Sequence, residues 1–530
     1  MILTTYHKLG FSAVLTVILT FSSLFFPFSL EAEPAKPIDI ELWMVASISD
    51  AAPLPRDWLG YRILREKYGI NLKIVMLPST FSDQDTKVVT AAAANRLPDI
   101  VQLNRITWNK LAKTGLIAPL DAFVPLMPHS FKVLFGDNDR KRLALYDGKL
   151  FAFPATGSLQ GTDGLVIRKD WLDKLKLPMP KTIDDFLKVA KAFTEQDPDG
   201  NGKADTYGFG AFIESADLTD AGLGRRFDNI FGAYGVPGVW NLDTPNQPKL
   251  NIRSPSYLQA MKTIRTIVEN NWIDPDWTIM KKDDFRLRWK QGRYGMMRET
   301  FSALWSPSNY KQFDENYPEG EWVPLEPPAG PNGKRSQGLM YRDIRYLAVS
   351  ARAVKQGKTE AIAKLFEWFA SDEGYYLSAY GVEGQNFRLD TLGDIGTQGL
   401  IPDNTYISRL VQPYLQVRNL VYRMSETELK ARYPAFRTRN GRWITPLDRY
   451  IEFNTWPSND ASPLQLFNSP PNTSDFLRTY NEGLTRFVMG QAPLNVRNWA
   501  EFIAAIDRVG AKELEGRLKQ DIAANRKVTE

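Results

Sequence analysis

Strand-like and helix-like segments alternate in the first part of the chain, and this order constrains the fold more than any other feature. Short apolar segments of strand length are separated by longer segments with helical periodicity. A parallel pair of strands needs a crossover connection, usually a helix, so this order predicts a mostly parallel sheet covered by helices. The predicted fold class is therefore α/β. The predicted strands are residues 38–45, 71–77 and 99–103, and the predicted helices are residues 58–68 and 83–95.

The later part of the chain continues this mixture of strands and helices. One well-marked helix follows Thr182, which is predicted to cap it, with Asp185 three residues later in a capping-box arrangement. Gly510 separates two C-terminal helices, each with an apolar stripe. Further strands are predicted at residues 164–168, 294–297 and 345–350, and further helices at residues 171–175, 257–270 and 359–370.

The chain begins with a pattern typical of exported proteins. His7 and Lys8 give a short basic start, residues 9–28 are almost wholly apolar, and Ala32 suits the residue before a cleavage point. We interpret residues 1–32 as a secretory signal peptide. The alternative is an uncleaved anchor, because the apolar run approaches the roughly 20 residues that span a bilayer. The expected location is the periplasm, or in the second case the cell surface.

Composition and missing motifs exclude several classes of site. The chain has no Cys, which removes disulfides, thiol nucleophiles, zinc–thiolate sites and a lipid-bearing cysteine. Its only histidines are His7 and His129, so a histidine-dependent hydrolase would rely on His129 in a proline-rich segment. The net charge of +5 is spread along the chain, and we expect no nucleic-acid partner. A glycosidase needs two carboxylates, and the chain offers candidates such as Asp163 and Glu214. A secreted glycosidase therefore remains an alternative.

One loop has the spacing of a calcium-binding loop. Oxygen-bearing side chains stand at alternate positions, which a curling chain turns toward one point, and Gly202 occupies the tight turn. An EF-hand carries a bidentate Glu where this chain has Gly208, so the last ligand must come from Thr206, water or elsewhere. The alternative is an Asx-turn loop without a metal. We expect a structural Ca²⁺ bound by Asp197, Asp199, Asn201, the Lys203 carbonyl and Asp205.

Several motifs in a fixed order resemble those of the extracellular solute-binding proteins of family 1. The resemblance extends over residues 38–526, and the ordered set is more specific than any single motif. With its calcium-like loop, the chain resembles the alginate- and oligosaccharide-binding receptors and the larger lipoprotein-type receptors of this family. It differs from the latter by lacking the lipid-bearing cysteine. The motifs lie at residues 98–101, 147–154, 163–172, 180–187, 292–297, 381–384 and 490–510.

The resemblance implies a periplasmic-binding-protein fold, in which two α/β lobes joined by hinge crossovers close around a solute. It assigns residues 38–158 and 343–385 to lobe 1, and residues 159–342 and 386–530, with the loop 197–205, to lobe 2. It further implies a monomeric receptor, not an enzyme, that delivers its ligand to the permease subunits of an ABC importer.

A carbohydrate, and within that class an oligosaccharide, is the expected ligand. The chain has 14 tryptophans, and several stand beside Gly, Pro or polar residues rather than in helical stripes. Aromatic faces pack against the C–H faces of sugar rings while nearby polar groups hold the hydroxyls. A receptor for a peptide or a polyol is the alternative within this class, and a secreted carbohydrate-active enzyme is the alternative outside it.

Ligand contacts are expected in loops that follow predicted strands, because ligands of parallel sheets bind beyond the carboxyl ends of the strands. Arg105 and Arg298 suit a sugar carboxylate as well as neutral hydroxyl groups. The predicted set is Trp43, Ser47, Asn104, Arg105, Trp108, Asp163, Trp240, Arg298, Glu299, Trp305, Arg342, Gln385 and Asn386.

Overall fold

The computed structural model describes the chain in segments separated by gaps. Residues 37–530 form one compact unit. No helix within the described segments is both long and apolar enough to cross a membrane. The apolar run at residues 9–28 lies outside them. The described residues are 36–45, 54–78, 81–134, 144–155, 161–213, 218, 221–244, 247–340, 345–385, 388–389, 395–396, 417, 420, 433–461, 463–464, 467, 470 and 473–527.

Most strands are short, and the longest belong to two separate sheets. The strands are β1 (Ile38–Val45), β2 (Ile70–Leu77), β3 (Ile100–Leu103), β4 (Leu145–Tyr146), β5 (Lys149–Leu150), β6 (Phe153–Ala155), β7 (Asp163–Arg168), β8 (Tyr207–Gly210), β9 (Trp240–Asn241), β10 (Lys249–Leu250), β11 (Tyr294–Thr300), β12 (Trp322–Pro324), β13 (Leu339–Met340), β14 (Arg345–Val349), β15 (Arg388–Leu389), β16 (Ile395–Gly396), β17 (Phe436–Arg437), β18 (Trp443–Ile444) and β19 (Asn459–Asp460).

The helices fall between these strands, and three of them close the chain. They are α1 (Leu59–Tyr68), α2 (Phe81–Ala93), α3 (Arg105–Lys113), α4 (Pro128–Leu134), α5 (Lys169–Lys174), α6 (Ile183–Glu195), α7 (Asp228–Ala233), α8 (Pro255–Glu269), α9 (Lys282–Lys290), α10 (Phe301–Leu304), α11 (Pro307–Asn316), α12 (Ala351–Lys355), α13 (Thr359–Ala370), α14 (Asp372–Ala379), α15 (Pro446–Phe453), α16 (Thr473–Val488), α17 (Val496–Arg508) and α18 (Ala511–Lys527). Short 3₁₀ turns occur at Val124–Leu126, Arg225–Phe227 and Asn251–Arg253.

The first sheet has five strands in the order β2-β1-β3-β14-β6. Strand β1 is parallel to both β2 and β3, as the strand–helix–strand rhythm predicts. Strand β14 returns from far along the chain and pairs antiparallel with β3 and β6. The carboxyl ends of β1, β2 and β3 therefore share one edge of this sheet.

The second sheet has four strands in the order β12-β7-β11-β8. Its central strand β11 is parallel to β8 and antiparallel to β7. The antiparallel pairing places the start of β7 beside the end of β11, with Asp163 opposite Thr300.

Each sheet has its own hydrophobic core on both faces. In the first sheet, Ile100 packs with the α13 side and its neighbour Val101 packs with the α3 side. In the second, Leu165 and its neighbour Val166 likewise enter different clusters. This follows from the alternation of side chains along a strand. The C-terminal helices α16, α17 and α18 belong to the same cluster as Leu165, with α16 against α8 and α18 against β10.

The sequence predictions for secondary structure are confirmed where local patterns are strong. Strand 38–45 and helix 359–370 have the predicted bounds. The capping box is present, since Thr182 Oγ1 accepts the Asp185 N–H at 3.2 Å and the Asp185 carboxylate accepts the Thr182 N–H at 3.1 Å. The predicted α/β class is confirmed. The predicted lobe boundaries remain a prediction.

One strand is longer than predicted. The strand expected at residues 294–297 continues to Thr300, so Arg298 and Glu299 lie within β11 and not in a loop after it. Pairing with β7 runs along this whole extension and supplies the hydrogen bonds that keep the chain extended.

Candidate functional site

The carboxyl edge of the first sheet brings together two of the predicted residues. Asn104 caps α3, with its Oδ1 accepting the Thr107 N–H at 2.9 Å, and its Nδ2 donates to Asp85 at 2.8 Å. The adjacent Arg105 donates from Nη1 to the Tyr346 hydroxyl at 2.9 Å. Both side chains are partly exposed at the edge where ligands of parallel sheets bind.

The two tryptophans predicted near this edge have different environments. Trp43 lies within β1, is partly exposed and donates from Nε1 to Glu41 at 2.9 Å. Trp108 is completely buried and stacks on the Tyr346 ring, with the centroids 4.6 Å apart. The prediction that Trp108 meets a ligand is therefore corrected: the ring has no exposed surface and packs on Tyr346 of β14.

In the second sheet, Asp163 lies in a buried polar cluster at the junction of β7 and β11. Its Oδ1 accepts the Thr300 hydroxyl at 2.5 Å, and its Oδ2 is 3.4 Å from Arg225. Burial alone would raise the pKa of Asp163, but Arg225 and Arg298 outweigh it and hold the pKa well below its ordinary value. Asp163 is a fixed anion at neutral pH.

Glu299 is also a fixed anion, with no exposed surface. Arg226 Nη1 is 3.3 Å from Oε1, and Arg286 Nε donates to Oε2 at 3.3 Å. Burial would raise the pKa of Glu299, but Arg286 and Arg226 lower it to about 2. The prediction that Glu299 meets a ligand is corrected, because its carboxylate is buried against arginines.

Arg298 also forms its polar contacts within the protein. It is 2% exposed and donates to the backbone carbonyl of Gln337. Its Nη1 lies 3.7 Å from the carboxylate of Asp228, which accepts the N–H groups of Gly238 at 3.0 Å and Leu339 at 3.3 Å. The predicted role of Arg298 as a partner for a sugar carboxylate is corrected: it supports the backbone around Gly238 and Leu339.

That supported backbone borders a cavity of about 310 Å³. Trp240 forms part of its wall, and the indole N–H donates to the Leu218 carbonyl at 2.8 Å, which fixes the ring. Trp240 is only 1% exposed, so the prediction that its ring meets a ligand is corrected: the ring closes the wall of the cavity and packs on Phe467. The polar lining residues are Asn241, Asp243, Asn251, Ser458, Asn459 and Asp460.

Asn251 is the most informative residue of this cavity. Its side chain is almost completely buried, and its Nδ2 donates to the Pro237 carbonyl at 2.8 Å. Its Oδ1 has no hydrogen-bond partner within the described part of the chain. A buried acceptor without a partner is destabilising unless water or a ligand satisfies it. Sequence reasoning did not identify this residue, because nothing local distinguishes a cavity-lining Asn from a turn Asn.

Two further predicted residues that the structure describes, Trp305 and Gln385, lie away from this cavity. Trp305 is completely buried and lines a different cavity, of about 260 Å³. Gln385 is exposed in a turn, where its N–H donates to the Val382 carbonyl at 3.1 Å. Ser47, Arg342 and Asn386 lie outside the described residues, as does Glu214.

The loop at 197–205 is closed by its own side chains. The Asp197 carboxylate accepts the N–H groups of Gly200, Asn201 and Gly202 at 3.0 to 3.1 Å. The Asn201 Nδ2 donates to Asp199 at 2.7 Å and to Asp205 at 3.2 Å. The Gly202 N–H lowers the pKa of Asp197. Burial and the adjacent Asp197 raise the pKa of Asp199.

These contacts allow a test of whether the loop suits calcium. The carboxylates of Asp199 and Asp205 both accept from the Asn201 amide nitrogen, so two of the oxygen donors that a hard cation requires lie close together. No group of three or more His, Cys, Asp or Glu side chains in the described segments is arranged to hold a metal as it stands. A cation between the carboxylates would require Asn201 to present its oxygen there. Lys203 contributes its N–H to Asn201 Oδ1 at 2.7 Å.

The expected last ligand is constrained by two contacts. A side chain at Gly208 would place its Cβ 2.1 Å from the Ala190 carbonyl oxygen, so no Glu fits at that position. The Thr206 hydroxyl is buried and donates to the Phe193 carbonyl at 2.9 Å. Thr206 is thus oriented toward α6 and ties the loop to it.

Comparison with known proteins gives a family match over more than half of the chain. The family described as bacterial extracellular solute-binding protein matches residues 60–376. The polygalacturonan/rhamnogalacturonan-binding protein YtcQ of Bacillus subtilis is 26% identical over 362 residues, which are 65% of this chain and 66% of YtcQ. The fructooligosaccharide ABC transporter substrate-binding protein FusA of Streptococcus pneumoniae is 26% identical over 312 residues, 55% of this chain and 54% of FusA. These matches span just under two thirds of YtcQ and about half of FusA.

Solved structures show the same fold over nearly the whole chain. The alginate-binding protein AlgQ2, solved without calcium ion, has a TM-score of 0.71 at 17% identity and covers 92% of this chain and 99% of its own. FusA in complex with kestose has a TM-score of 0.68 at 19% identity, with the same coverage. The predicted two-lobe α/β fold of solute-binding proteins is thereby confirmed.

Proposed function

The chain belongs to the bacterial extracellular solute-binding proteins, and from this we propose that it captures an oligosaccharide as the receptor of an ABC importer. The cavity beside β9, β13 and β19 carries the proposal. Its lining residue Leu339 lies in β13, the strand that comes before β14 of the first sheet in the described part of the chain. The relatives named for polygalacturonan, rhamnogalacturonan and fructooligosaccharide support a sugar as ligand.

The chemistry of this cavity suits sugar hydroxyls. Its polar lining consists of amides, carboxylates and a serine, and the described lining residues include no Lys or Arg. Sugar hydroxyls are donors as well as acceptors, and the free Oδ1 of Asn251 offers an acceptor to one of them. The partly exposed Leu242 supplies an apolar contact for a sugar face.

We expect Asn251→Ala to weaken binding of the preferred oligosaccharide by roughly tenfold to a hundredfold, since a hydrogen bond of about 1–3 kcal/mol is lost. The measurement is calorimetric titration with a panel of neutral and acidic oligosaccharides. Asn270→Ala is the control, because Asn270 is exposed at the end of α8.

Equal affinities of the wild type and Asn251→Ala would contradict the assignment of this cavity. The same samples test the alternative of a secreted enzyme, because turnover of any sugar in the panel would contradict the receptor proposal. Asp163 and Glu299 are both held ionised, so neither supplies the protonated carboxyl that a glycosidase needs as general acid. A panel of peptides and polyols tests the remaining alternatives.

The loop at 197–205 supports a structural calcium ion as part of this proposal. FusA has been solved as an EF-hand mutant and AlgQ2 without calcium ion, so such a site is a feature of similar proteins. Asp197, Asp199, Asn201 and Asp205 would hold the ion, which would join the end of α6 to β8. Its chemical contribution would be to neutralise the clustered carboxylates.

Removal of calcium with EDTA is expected to lower the melting temperature by several degrees, because an ion at 100 times its Kd stabilises by about 2.7 kcal/mol. Asp199→Asn should lower the melting temperature in calcium and abolish the EDTA effect. Glu195→Gln, a change at an exposed residue just before the loop, is the control. An unchanged midpoint in EDTA would contradict a stabilising ion.

The site of action proposed for the chain is outside the cytoplasm, in keeping with its extracellular family. Residues 1–32 would direct export, with a soluble periplasmic monomer as the product and a membrane-anchored form as the alternative. The relative LipO of Bacillus subtilis is a lipoprotein, but this chain has no cysteine to carry a lipid. Its partners would be the permease subunits of the importer.

A further inference from the structure

A second cavity, of about 260 Å³, lies between the edge strand β12 and the hairpin β17–β18. Trp305, Tyr310 and Trp322 form aromatic walls, and each is at most 1% exposed. The helix α15 contributes Arg449, and the hairpin contributes Arg442. Its lining is separate from that of the cavity proposed above for the oligosaccharide, since the two have no residue in common.

The polar groups of this cavity are mainly donors. Arg442 lies 3.5 Å from Glu321, the one carboxylate among the described lining residues, and donates to the Gly320 carbonyl at 2.5 Å. Arg449 adds a positive charge, and its ion pair is with Glu452, which does not line the cavity and is partly exposed. The Trp322 indole N–H, a group that can only donate, has no partner within the described residues.

The mouth of the cavity carries an unusually exposed aromatic side chain. Trp443 lines the cavity from β18 but is 65% exposed. Tryptophans with one open face are enriched where proteins bind ligands, because the ring provides a large apolar area at a low cost in conformational entropy. The hairpin thus presents a stacking surface next to two guanidinium groups.

We infer that this cavity is a second ligand site, which binds a six-membered ring bearing a carboxylate, as in a uronic acid. The carboxylate would pair with Arg449 and accept from the Trp322 N–H, while the ring would pack against Trp443. The volume admits one such ring but not an extended chain. The two cavities differ in charge, because the first is lined by Asp243 and Asp460 without a described basic residue, whereas the second has an excess of arginine.

The test compares D-galacturonate with D-galactose. The two sugars differ only in the group attached to ring carbon 5, which is a carboxylate in the first and a hydroxymethyl group in the second. Calorimetric titration of the full chain should detect galacturonate at low salt and little or no galactose. Arg449→Met should weaken galacturonate binding by roughly tenfold to a hundredfold, as expected for a hydrogen-bonded charge pair. Trp443→Ala should weaken it by roughly tenfold.

Asp243→Asn is the matched control, because it alters the other cavity and should leave galacturonate binding unchanged. The inference is overturned if galactose binds as well as galacturonate, if galacturonate does not bind, or if both variants bind like the wild type. Loss of galacturonate binding in Asp243→Asn would also overturn it, by moving the sugar to the first cavity. Because Trp443 and Arg449 are partly exposed, both variants should keep the wild-type melting temperature, which the same samples report.

Discussion

Replacement of Glu299 by Gln is expected to lower the free energy of unfolding by about 3–5 kcal/mol at neutral pH. The change removes the charge from a side chain with no exposed surface and leaves Arg226 and Arg286 without their shared carboxylate. Arg226 is itself nearly buried, so its charge has no solvent to replace the lost partner. Chemical denaturation of wild type and variant measures the difference.

The same residue should make stability dependent on pH in the acid range. Its ordinary pKa is 4.5, and in the folded protein Arg286 and Arg226 lower it to about 2 in spite of burial. The folded state therefore binds fewer protons than the unfolded state between these values, and the contribution of Glu299 is present above pH 4.5 and lost as the pH falls toward 2. The stability difference between wild type and Glu299→Gln should shrink over that window.

A matched control is available on the surface. Glu360 forms an ion pair with Lys364 at 2.8 Å, but both side chains are more than half exposed. Glu360→Gln should change the free energy of unfolding by well under 1 kcal/mol, because exposed pairs contribute little. A loss for Glu299→Gln no larger than that of Glu360→Gln would contradict the structural role given to the buried carboxylate.

Replacement of Trp108 by Ala is expected to lower the free energy of unfolding by about 3–5 kcal/mol. The ring is fully buried, stacks on Tyr346 and lies edge-on to Tyr146 at 6.3 Å, so its loss leaves a large cavity beside β14. Denaturation measures the loss, and far-ultraviolet circular dichroism confirms that the variant is folded.

Trp43→Ala is the control for this prediction. Trp43 is partly exposed on β1, with Lys87 placed 4.9 Å from its ring centroid, and its removal should lower the free energy of unfolding by about 1 kcal/mol. A ligand-contacting Trp108 would show the reverse pattern, with weakened sugar binding and nearly unchanged stability. That outcome would restore the interpretation that burial has corrected.

The sequence alone predicted features whose causes are local. Strand 38–45 was predictable because its apolar residues alternate, and the capping box at Thr182 and Asp185 because both partners lie within one helical turn. The order of strands and helices predicted a parallel β1–β2–β3 unit, because a helix between two strands of one sheet usually connects parallel strands. The spacing of Asp197, Asp199, Asn201 and Asp205 likewise acts within one loop, where Asp199 and Asp205 meet at the Asn201 amide; the calcium site itself remains a prediction.

Tertiary structure alone decided which of the expected ligand residues have a free face. No sequence feature of Arg298 and Glu299 separates a solvent-facing pair from a buried one. Strand pairing of β11 with β7 buries both residues. Ion pairs with Asp228 and Arg226 then compensate their charges. Asn251 and Asp460 line one cavity only because helices and strands distant in the chain pack together.

The division between the two kinds of result has one physical reason. Helix caps, strand alternation and the parallel order of neighbouring strands depend on contacts between residues close in sequence, and those are readable from the printed chain. Burial, ion pairs such as Arg226–Glu299 and the shape of both cavities depend on long-range packing, which the chain encodes but does not display. The α/β rhythm of residues 38–103 therefore predicted the architecture, and long-range packing decided which side chains line the two cavities.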